Sequence, residues 1–116
     1  MIGPFGELKT AEDMLKKYKP SEDLELDFMQ LKALLAQERV LDYSRIEMFK
    51  THKHDSIKAK DYLFREYMVR HQISKFALKL SKEVTDRITC EVPEEKSFVA
   101  MCIKNRKLYP KPVKKS

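Results

Sequence analysis

The sequence predicts an all-α protein, a bundle of four or five helices with one long central helix and a basic, disordered C-terminal tail. Between Pro20 and Pro93 the chain has 72 consecutive residues without glycine or proline, the two residues that most often interrupt helices. Apolar residues recur every three or four positions along this stretch, which is helical spacing. Apolar residues make up 42% of the chain and charged residues 36%, as expected for helices that each keep one wet face.

Two helices are predicted after a short N-terminal arm over residues 1–9. Thr10 offers an N-cap for the first helix, which reaches about Tyr18. Ser21 offers an N-cap for the second, over residues 22–41. The second helix carries an apolar stripe formed by Leu24, Phe28, Leu31, Leu34, Leu35 and Leu41. This regular stripe predicts an amphipathic helix with one buried face.

The apolar pattern loses its phase after this stripe, which predicts a break in the helix. Ser44 and Glu47 then match a capping box, in which each side chain bonds the other residue's backbone N–H. A short helix is therefore predicted over residues 45–51. Either Asp55 or Ser56 is expected to cap the helix that follows.

The central helix is predicted over residues 56–88. Its apolar seam is formed by Tyr62, Val69, Ile73, Phe76, Leu80, Val84 and Ile88. Four more apolar residues point to other faces of its first half: Leu63, Phe64, Tyr67 and Met68. A helix that is apolar on several sides is buried centrally or lies at a contact between chains. We therefore predict these four as a protein interface, with cover by the short helices as the alternative.

A last helix is predicted to begin at Pro93, because proline suits the first helical position. Its expected inner face consists of Phe98, Met101 and Cys102. The helix is expected to end near Tyr109. Residues 1–109 would then form one domain, and residues 110–116 a basic, proline-containing tail.

The basic residues are concentrated in the second half of the chain. Residues 1–50 carry 8 basic and 10 acidic side chains, residues 51–116 carry 16 and 8, and the whole chain has a net charge of +6. Rows of basic side chains on a helix can bind phosphates or can be an ordinary solvated face, and both interpretations stay open. The residues predicted to contact nucleic acid are Lys75, Lys79, Lys82, Lys104, Arg106, Lys107, Lys111, Lys114 and Lys115.

The chain offers few candidates for catalysis or cofactor binding. His52, His54 and Asp55 form the one cluster of potential metal ligands, and a site would need further ligands from afar. The pair of His71 and Cys90 has no third group to orient it. No glycine-rich loop can wrap a phosphate, because the chain has 2 glycines, both near its N-terminus. We therefore predict a protein that is not an enzyme and binds no metal or cofactor.

The sequence also bears on the cellular compartment. The N-terminal residues lack the basic and apolar regions of a signal peptide, and no apolar run approaches the roughly 18 residues of a membrane span. Cys90 and Cys102 fit no zinc pattern, and we expect both to be reduced. These features predict an intracellular protein, in the cytoplasm or nucleus, with no membrane contact.

One part of the chain resembles a known family. The segment from Tyr62 to Phe76 reads YLFREYMVRHQISKF and is similar to the central helix of the GINS replication-factor subunits, which tends to read Arg-x-Tyr-Leu-x-Arg-x-x-(apolar)-x-Lys. The segment from Val92 to Phe98 is similar to the acidic helix start that follows it there. The matching positions are Arg65, Tyr67, Arg70 and Lys75. The chain departs from the family pattern because its tail leaves no room for the small β domain that these subunits usually carry.

The resemblance implies a scaffold without catalytic activity, built by helix packing with sister subunits, in which the matching side chains are largely structural. We therefore expect a helical interaction subunit of an intracellular, nucleic-acid-handling assembly of the replication type. One alternative is a protein that binds DNA or RNA directly and without sequence preference. The second is a protein–protein adaptor with no nucleic-acid contact. A protein partner or self-association is expected if the chain is an interaction subunit or a protein–protein adaptor.

Overall fold

The computed structural model describes residues 5–51, 56–91 and 97–113. The described residues form five helices and no strand, which confirms the predicted all-α fold. The helices are α1 (Gly6–Lys17), α2 (Leu24–Thr51), α3 (Ile57–Leu78), α4 (Lys82–Glu91) and α5 (Phe98–Lys104). None of these described helices combines the length and the apolar character needed to span a bilayer.

The core lies between α2 and α3, and the shorter helices cover it. Helix α1 packs on both long helices, α4 packs on α2, and α5 packs on α3 and α4. The predicted apolar seam of the central region is buried in full, from Tyr62 to Ile88. The predicted stripe of α2 is also buried except for Leu24, which is 40% exposed. Each fully buried aliphatic side chain contributes about 1.5–3 kcal/mol to folding.

Helix α1 begins one turn earlier than predicted. The hydroxyl of Thr10 does not cap the helix, because it donates to the Gly6 carbonyl one turn back, at 3.0 Å. The earlier start buries Leu8 and Ala11 completely. The helix ends at Lys17, so the predicted end was correct to within one residue.

Helix α2 runs without interruption through the predicted break, so the separate helix over residues 45–51 was wrong. The Ser44–Glu47 capping box does not begin a helix, because both residues lie inside α2. At the N-terminus the predicted cap was also wrong. The Asp23 carboxylate caps α2 by accepting from the Glu25 and Leu26 N–H groups at 3.0 and 3.2 Å.

The predicted central helix over residues 56–88 is two helices, α3 and α4, with a bend between them. Ser56 caps α3 as expected, since its hydroxyl accepts from the Ala59 N–H at 3.1 Å. The bend follows Leu78, and the Ser81 hydroxyl then accepts from the Val84 N–H at 3.4 Å. Because of the bend, α4 turns back to pack on α2 and α5.

Helix α5 is shorter than predicted and presents a different face. It begins at Phe98, where the Ser97 hydroxyl accepts from the Ala100 N–H at 3.0 Å. The predicted start at Pro93 lies outside the described residues. Phe98 and Met101 were wrongly assigned to the inner face, since they are 53% and 52% exposed. The buried face consists of Val99, Cys102 and Ile103.

The chain reverses direction directly after α5. Arg106 has a left-handed backbone (φ 53°), and the Lys107 N–H donates to the Cys102 carbonyl at 2.8 Å, which closes a Schellman turn. Asparagine or glycine is usual at such a position, because a Cβ there is strained. The Arg106 side chain offsets part of this cost by donating to the Thr85 hydroxyl at 3.0 Å. The turn directs residues 107–113 back along α3.

Candidate functional site

A cluster of charged side chains is buried between α2 and α3. Arg70 of α3 lies at its centre, with its Nε 3.0 Å from Glu38 Oε1 and its Nη2 2.7 Å from Glu66 Oε1. Arg70 also pairs with Asp42, and Arg45 Nε lies 3.4 Å from Glu66 Oε2. Because Glu38 and Glu66 are almost completely buried, these pairs replace water as the partners of the two carboxylates.

Burial raises the pKa of Glu66 to about 7, and the nearby Arg70 and Arg45 limit this rise. A strongly shifted carboxyl is often a sign of a functional site. Here the Glu66 side chain is 0% exposed, and it does not line any of the three grooves described below. The buried ionic cluster therefore joins α2 to α3 and is not accessible to a ligand.

The first surface groove lies between the C-terminal halves of α1 and α3, and we call it the lysine groove. It encloses about 550 Å³. The lysines that line it are Lys16, Lys19, Lys75 and Lys79, and the remaining lining residues are Leu15, Tyr18, Pro20, Gln72 and Phe76. No carboxylate is among its described lining residues. Its chemistry is a partly apolar floor beside four ammonium groups, which suits an anion with apolar or aromatic parts.

Three segments position these lysines. Lys16 lies in the last turn of α1, and Lys75 and Lys79 lie one turn apart at the end of α3. Lys19 lies in the connection to α2, where its carbonyl accepts from Gln30 Nε2 at 3.0 Å. Lysine is favourable near a helix C-terminus, because the helix dipole is negative there. The helix dipole explains why lysines occur at the helix ends. It does not explain why lysines from three separate segments surround one groove.

The predicted nucleic-acid residues are distributed over several parts of the molecule. Lys75 and Lys79 line the lysine groove. Lys82 is exposed on α4, with its Nζ 3.6 Å from Asp86. Arg106 is bonded to α4 as described above, while Lys104, Lys107 and Lys111 are exposed around and after the Schellman turn. Lys114 and Lys115 lie outside the described residues.

The sequence-based prediction missed Lys16 and Lys19. The run Lys16-Lys17-x-Lys19 is the densest basic cluster in the otherwise acidic first half of the chain. That density was a usable signal. The prediction was limited to basic residues in the second half of the chain, whereas α1 contributes its own basic end to the groove.

The second surface groove lies beside the N-terminal half of α3, and we call it the apolar groove. It encloses about 870 Å³. Seven of its lining residues are apolar or aromatic: Phe5, Ile57, Leu63, Phe64, Tyr67, Pro112 and Val113. Three are charged: Lys58, Lys60 and Asp61. Three of the four predicted interface residues therefore share one groove.

Met68, the fourth predicted interface residue, does not line the apolar groove. It lines a smaller groove of about 350 Å³ between α1 and α3, together with Leu15 and Gln72. Leu63, Phe64, Tyr67 and Met68 are all half-buried. The alternative of internal cover thus applies in part, because α1 borders Met68 and the C-terminal segment borders Tyr67.

The C-terminal segment is fixed on α3 by hydrogen bonds to Tyr109. The Tyr109 N–H donates to the Ser74 hydroxyl at 2.9 Å, and its carbonyl accepts from His71 Nδ1 at 2.7 Å. The ring of Tyr109 lies 6.1 Å from that of Tyr67. These contacts place Pro112 at the edge of the apolar groove. Pro112 and Val113 of the predicted tail thus lie beside the apolar groove, and residues 114–116 lie outside the described residues.

The residues considered for metal binding or catalysis are placed as follows. His52, His54 and Asp55 lie outside the described residues, and the described part of the chain has no group of three or more potential metal ligands. His71 is used in holding Tyr109. Both cysteines are free thiols, and Cys90 is exposed whereas Cys102 is buried.

Comparisons with protein-family models, with curated protein sequences and with solved structures found no match to this chain. The likeness to the GINS subunits therefore stays a prediction. Of its matching positions, Arg70 belongs to the buried ionic cluster, Arg65 pairs with Glu12 at 3.2 Å, and Lys75 lines the lysine groove.

Proposed function

We propose that this chain is a non-catalytic interaction subunit of an intracellular assembly that handles nucleic acid, and that it contacts the phosphate backbone through the lysine groove. The observation that carries the proposal is the convergence of Lys16, Lys19, Lys75 and Lys79 from three segments, with no carboxylate among the described lining residues. Ammonium groups arranged in this way neutralise neighbouring phosphates and release their counterions.

The chemistry of the groove favours binding without sequence preference. Lysine is a flexible point charge, whereas base recognition usually relies on the planar groups of arginine, asparagine or glutamine. Gln72 is the one amide side chain that lines the groove. The half-buried ring of Tyr18 lies beside these lysines, and an aromatic ring stacks on bases of any kind. A single strand, whose bases are accessible, therefore fits better than a duplex.

The non-catalytic part of the proposal is supported by the position of Glu66. Burial raises the pKa of this carboxyl group to about 7, and the side chain is sealed inside the ionic cluster. General acid–base catalysis needs a group within hydrogen-bond reach of the substrate. Glu66 has no such access in this fold.

The proposal is tested by fluorescence anisotropy with a labelled, random-sequence single strand at several salt concentrations. Four phosphate contacts predict a slope of log K against log salt of about −3 for a single strand. The variant Lys75→Ala/Lys79→Ala removes two exposed side chains, so it should fold normally. We expect it to reduce the magnitude of the slope by about 1.4.

The matched control is Lys32→Ala/Lys50→Ala, which removes the same charge from two exposed positions of α2 outside the groove. This control should leave the slope unchanged. Equal weakening by both double variants would show that net charge, and not the groove, governs binding. No binding at about 50 mM salt would eliminate direct contact, because the electrostatic affinity is large at low salt.

A further variant, Lys111→Ala/Lys114→Ala/Lys115→Ala, measures the contribution of the C-terminal basic residues. If these residues form a path with the groove, the variant should lower the slope in addition to the effect of the groove variant. If they are a solvated end, the slope will equal that of the native chain.

A further inference from the structure

The apolar groove leaves apolar side chains exposed to solvent. Covering them with another chain would be energetically favourable. Ile57 and Val113, at its two edges, are 88% and 84% exposed, and Leu63, Phe64 and Tyr67 form a half-buried floor between them. Single exposed apolar residues are ordinary on a protein surface. A contiguous apolar groove with a polar rim is instead typical of a site for a protein partner.

The charges at the rim indicate the chemistry of that partner. Among the described lining residues, Lys58 and Lys60 contribute two ammonium groups against the one carboxylate of Asp61. The first turn of α3 contains no acidic residue, although helix starts favour them. Both lysines therefore add to the positive end of the helix dipole. A carboxylate from another chain would be attracted at this end of the groove.

We propose that the apolar groove binds an acidic amphipathic helix of a protein partner, with its apolar side chains on the groove floor and its carboxylates directed at Lys58 and Lys60. This inference rests on the interaction-subunit part of the proposed function and is independent of nucleic-acid binding. The segment of α3 from Ile57 to Tyr67 is about 15 Å long, which matches about three turns of a partner helix. Such a helix would present anchors spaced three and four residues apart.

The probe for this proposal is a fluorescein-labelled peptide of about fourteen residues, with leucines at helical spacing and glutamates at the other positions. Two comparison peptides separate charge from apolar contact. One has lysine in place of every glutamate, and the other has serine in place of every leucine. We expect the acidic amphipathic peptide to bind at least about tenfold more tightly than either comparison peptide.

Two variants of the protein assign the binding to this groove. Lys58→Glu/Lys60→Glu should weaken the acidic peptide about tenfold or more and strengthen the lysine peptide, because the sign of the rim is reversed. Ile57→Asp/Val113→Asp changes two exposed side chains, so the fold should persist, and it should weaken the acidic peptide. The control Lys32→Glu/Lys50→Glu makes the same change in net charge away from the groove and should leave peptide binding unaltered.

Three results would overturn the inference. They are equal binding of the acidic and lysine peptides, equal weakening by the groove and control variants, and self-assembly of the native chain that Ile57→Asp abolishes. The last result would make a second copy of this chain the occupant. Single-strand binding is measured on the same variants. A chain that binds nucleic acid but not the peptide would contradict this inference and leave the proposed nucleic-acid contact intact. The failure of one proposal can therefore be distinguished from the failure of the other.

Discussion

The part of α3 from Ile57 to Arg70 buries two charged side chains in the core and presents several apolar side chains to a surface groove. Glu66 and Arg70 point into the core, where they are 0% and 8% exposed. Ile57 and Phe64 point outward, towards the apolar groove. The C-terminal end of the same helix, after Arg70, has the ordinary arrangement, with Ile73 buried and Lys75 exposed.

The difference between these two parts of α3 shows that the available partners, and not polarity alone, decide which side chain is buried. Arg70 can be buried because Glu38, Asp42 and Glu66 surround it. A buried ion pair gives little net stability, but it is costly to break, because one partner is left charged and without water. The three predictions below test this asymmetry.

The largest effect is expected for Arg70→Met, which keeps an unbranched apolar stem and removes the charged guanidinium group. Glu38 and Glu66 would lose their principal partner while remaining buried. We expect the free energy of unfolding at pH 7 to fall by about 3–5 kcal/mol, measured by urea denaturation. The control is Arg65→Met on the same helix, whose pair with Glu12 is about one-third exposed. It should cost about 1 kcal/mol or less. Similar losses of unfolding free energy for Arg70→Met and Arg65→Met would show that the buried ion pairs are no more costly to break than the partly exposed pair.

The next effect concerns pH and the variant Glu66→Gln. The folded-state pKa of Glu66, about 7, lies above its ordinary value of 4.5, so the folded protein holds this proton more tightly than the unfolded chain. The resulting stability is fully present below about 4.5 and is lost as the pH rises through about 7. Glu66→Gln resembles the protonated form and lacks this dependence.

Native stability should therefore fall by about 2–3 kcal/mol relative to Glu66→Gln between about pH 5 and pH 8. The measurement is a series of urea denaturation curves of both proteins across this range. Taking the difference cancels the contributions of other titrating groups. Parallel curves would mean that Arg70 and Arg45 keep Glu66 charged throughout the range.

The smallest effect is expected on the outward face. Ile57→Ala should change the free energy of unfolding by no more than about 0.5 kcal/mol, because the side chain is already 88% exposed. Ile73→Ala, the same substitution at a fully buried position of α3, should cost about 2–5 kcal/mol. Thermal denaturation of both variants gives the comparison. A large loss at Ile57 would mean that the native chain itself covers the groove in solution, for example by self-association.

The fold class was predictable because the spacing of apolar residues indicates helix even where a helix boundary is predicted wrongly. The seam from Tyr62 to Ile88 is buried on both sides of the bend, although the helix was predicted to be continuous. The bend itself was missed because no glycine or proline marks it. The break predicted within α2 was wrong for a related reason. Asp42 and Arg45 interrupt the apolar pattern but still face α3, where their charges are paired.

The two grooves were predictable only in part, because each is built from segments far apart in the sequence. The surplus of apolar residues on α3 indicated Leu63, Phe64 and Tyr67, and these do share a groove. The contribution of Pro112 could not be predicted, since it depends on the backbone reversal at Arg106 and on the bonds made by Tyr109. Lys16 likewise lies near Lys75 only because α1 packs on α3.

The contacts of Tyr109 have a consequence for shortened versions of this chain. Its hydroxyl accepts from Arg70 at 3.4 Å, and its ring lies beside Tyr67. One residue therefore closes the ionic cluster on the inside and borders the apolar groove on the outside. A truncation placed after the last helix, at Lys104, would remove it and uncover both. A shortened chain that keeps these contacts must extend at least to Tyr109, five residues beyond the end of α5.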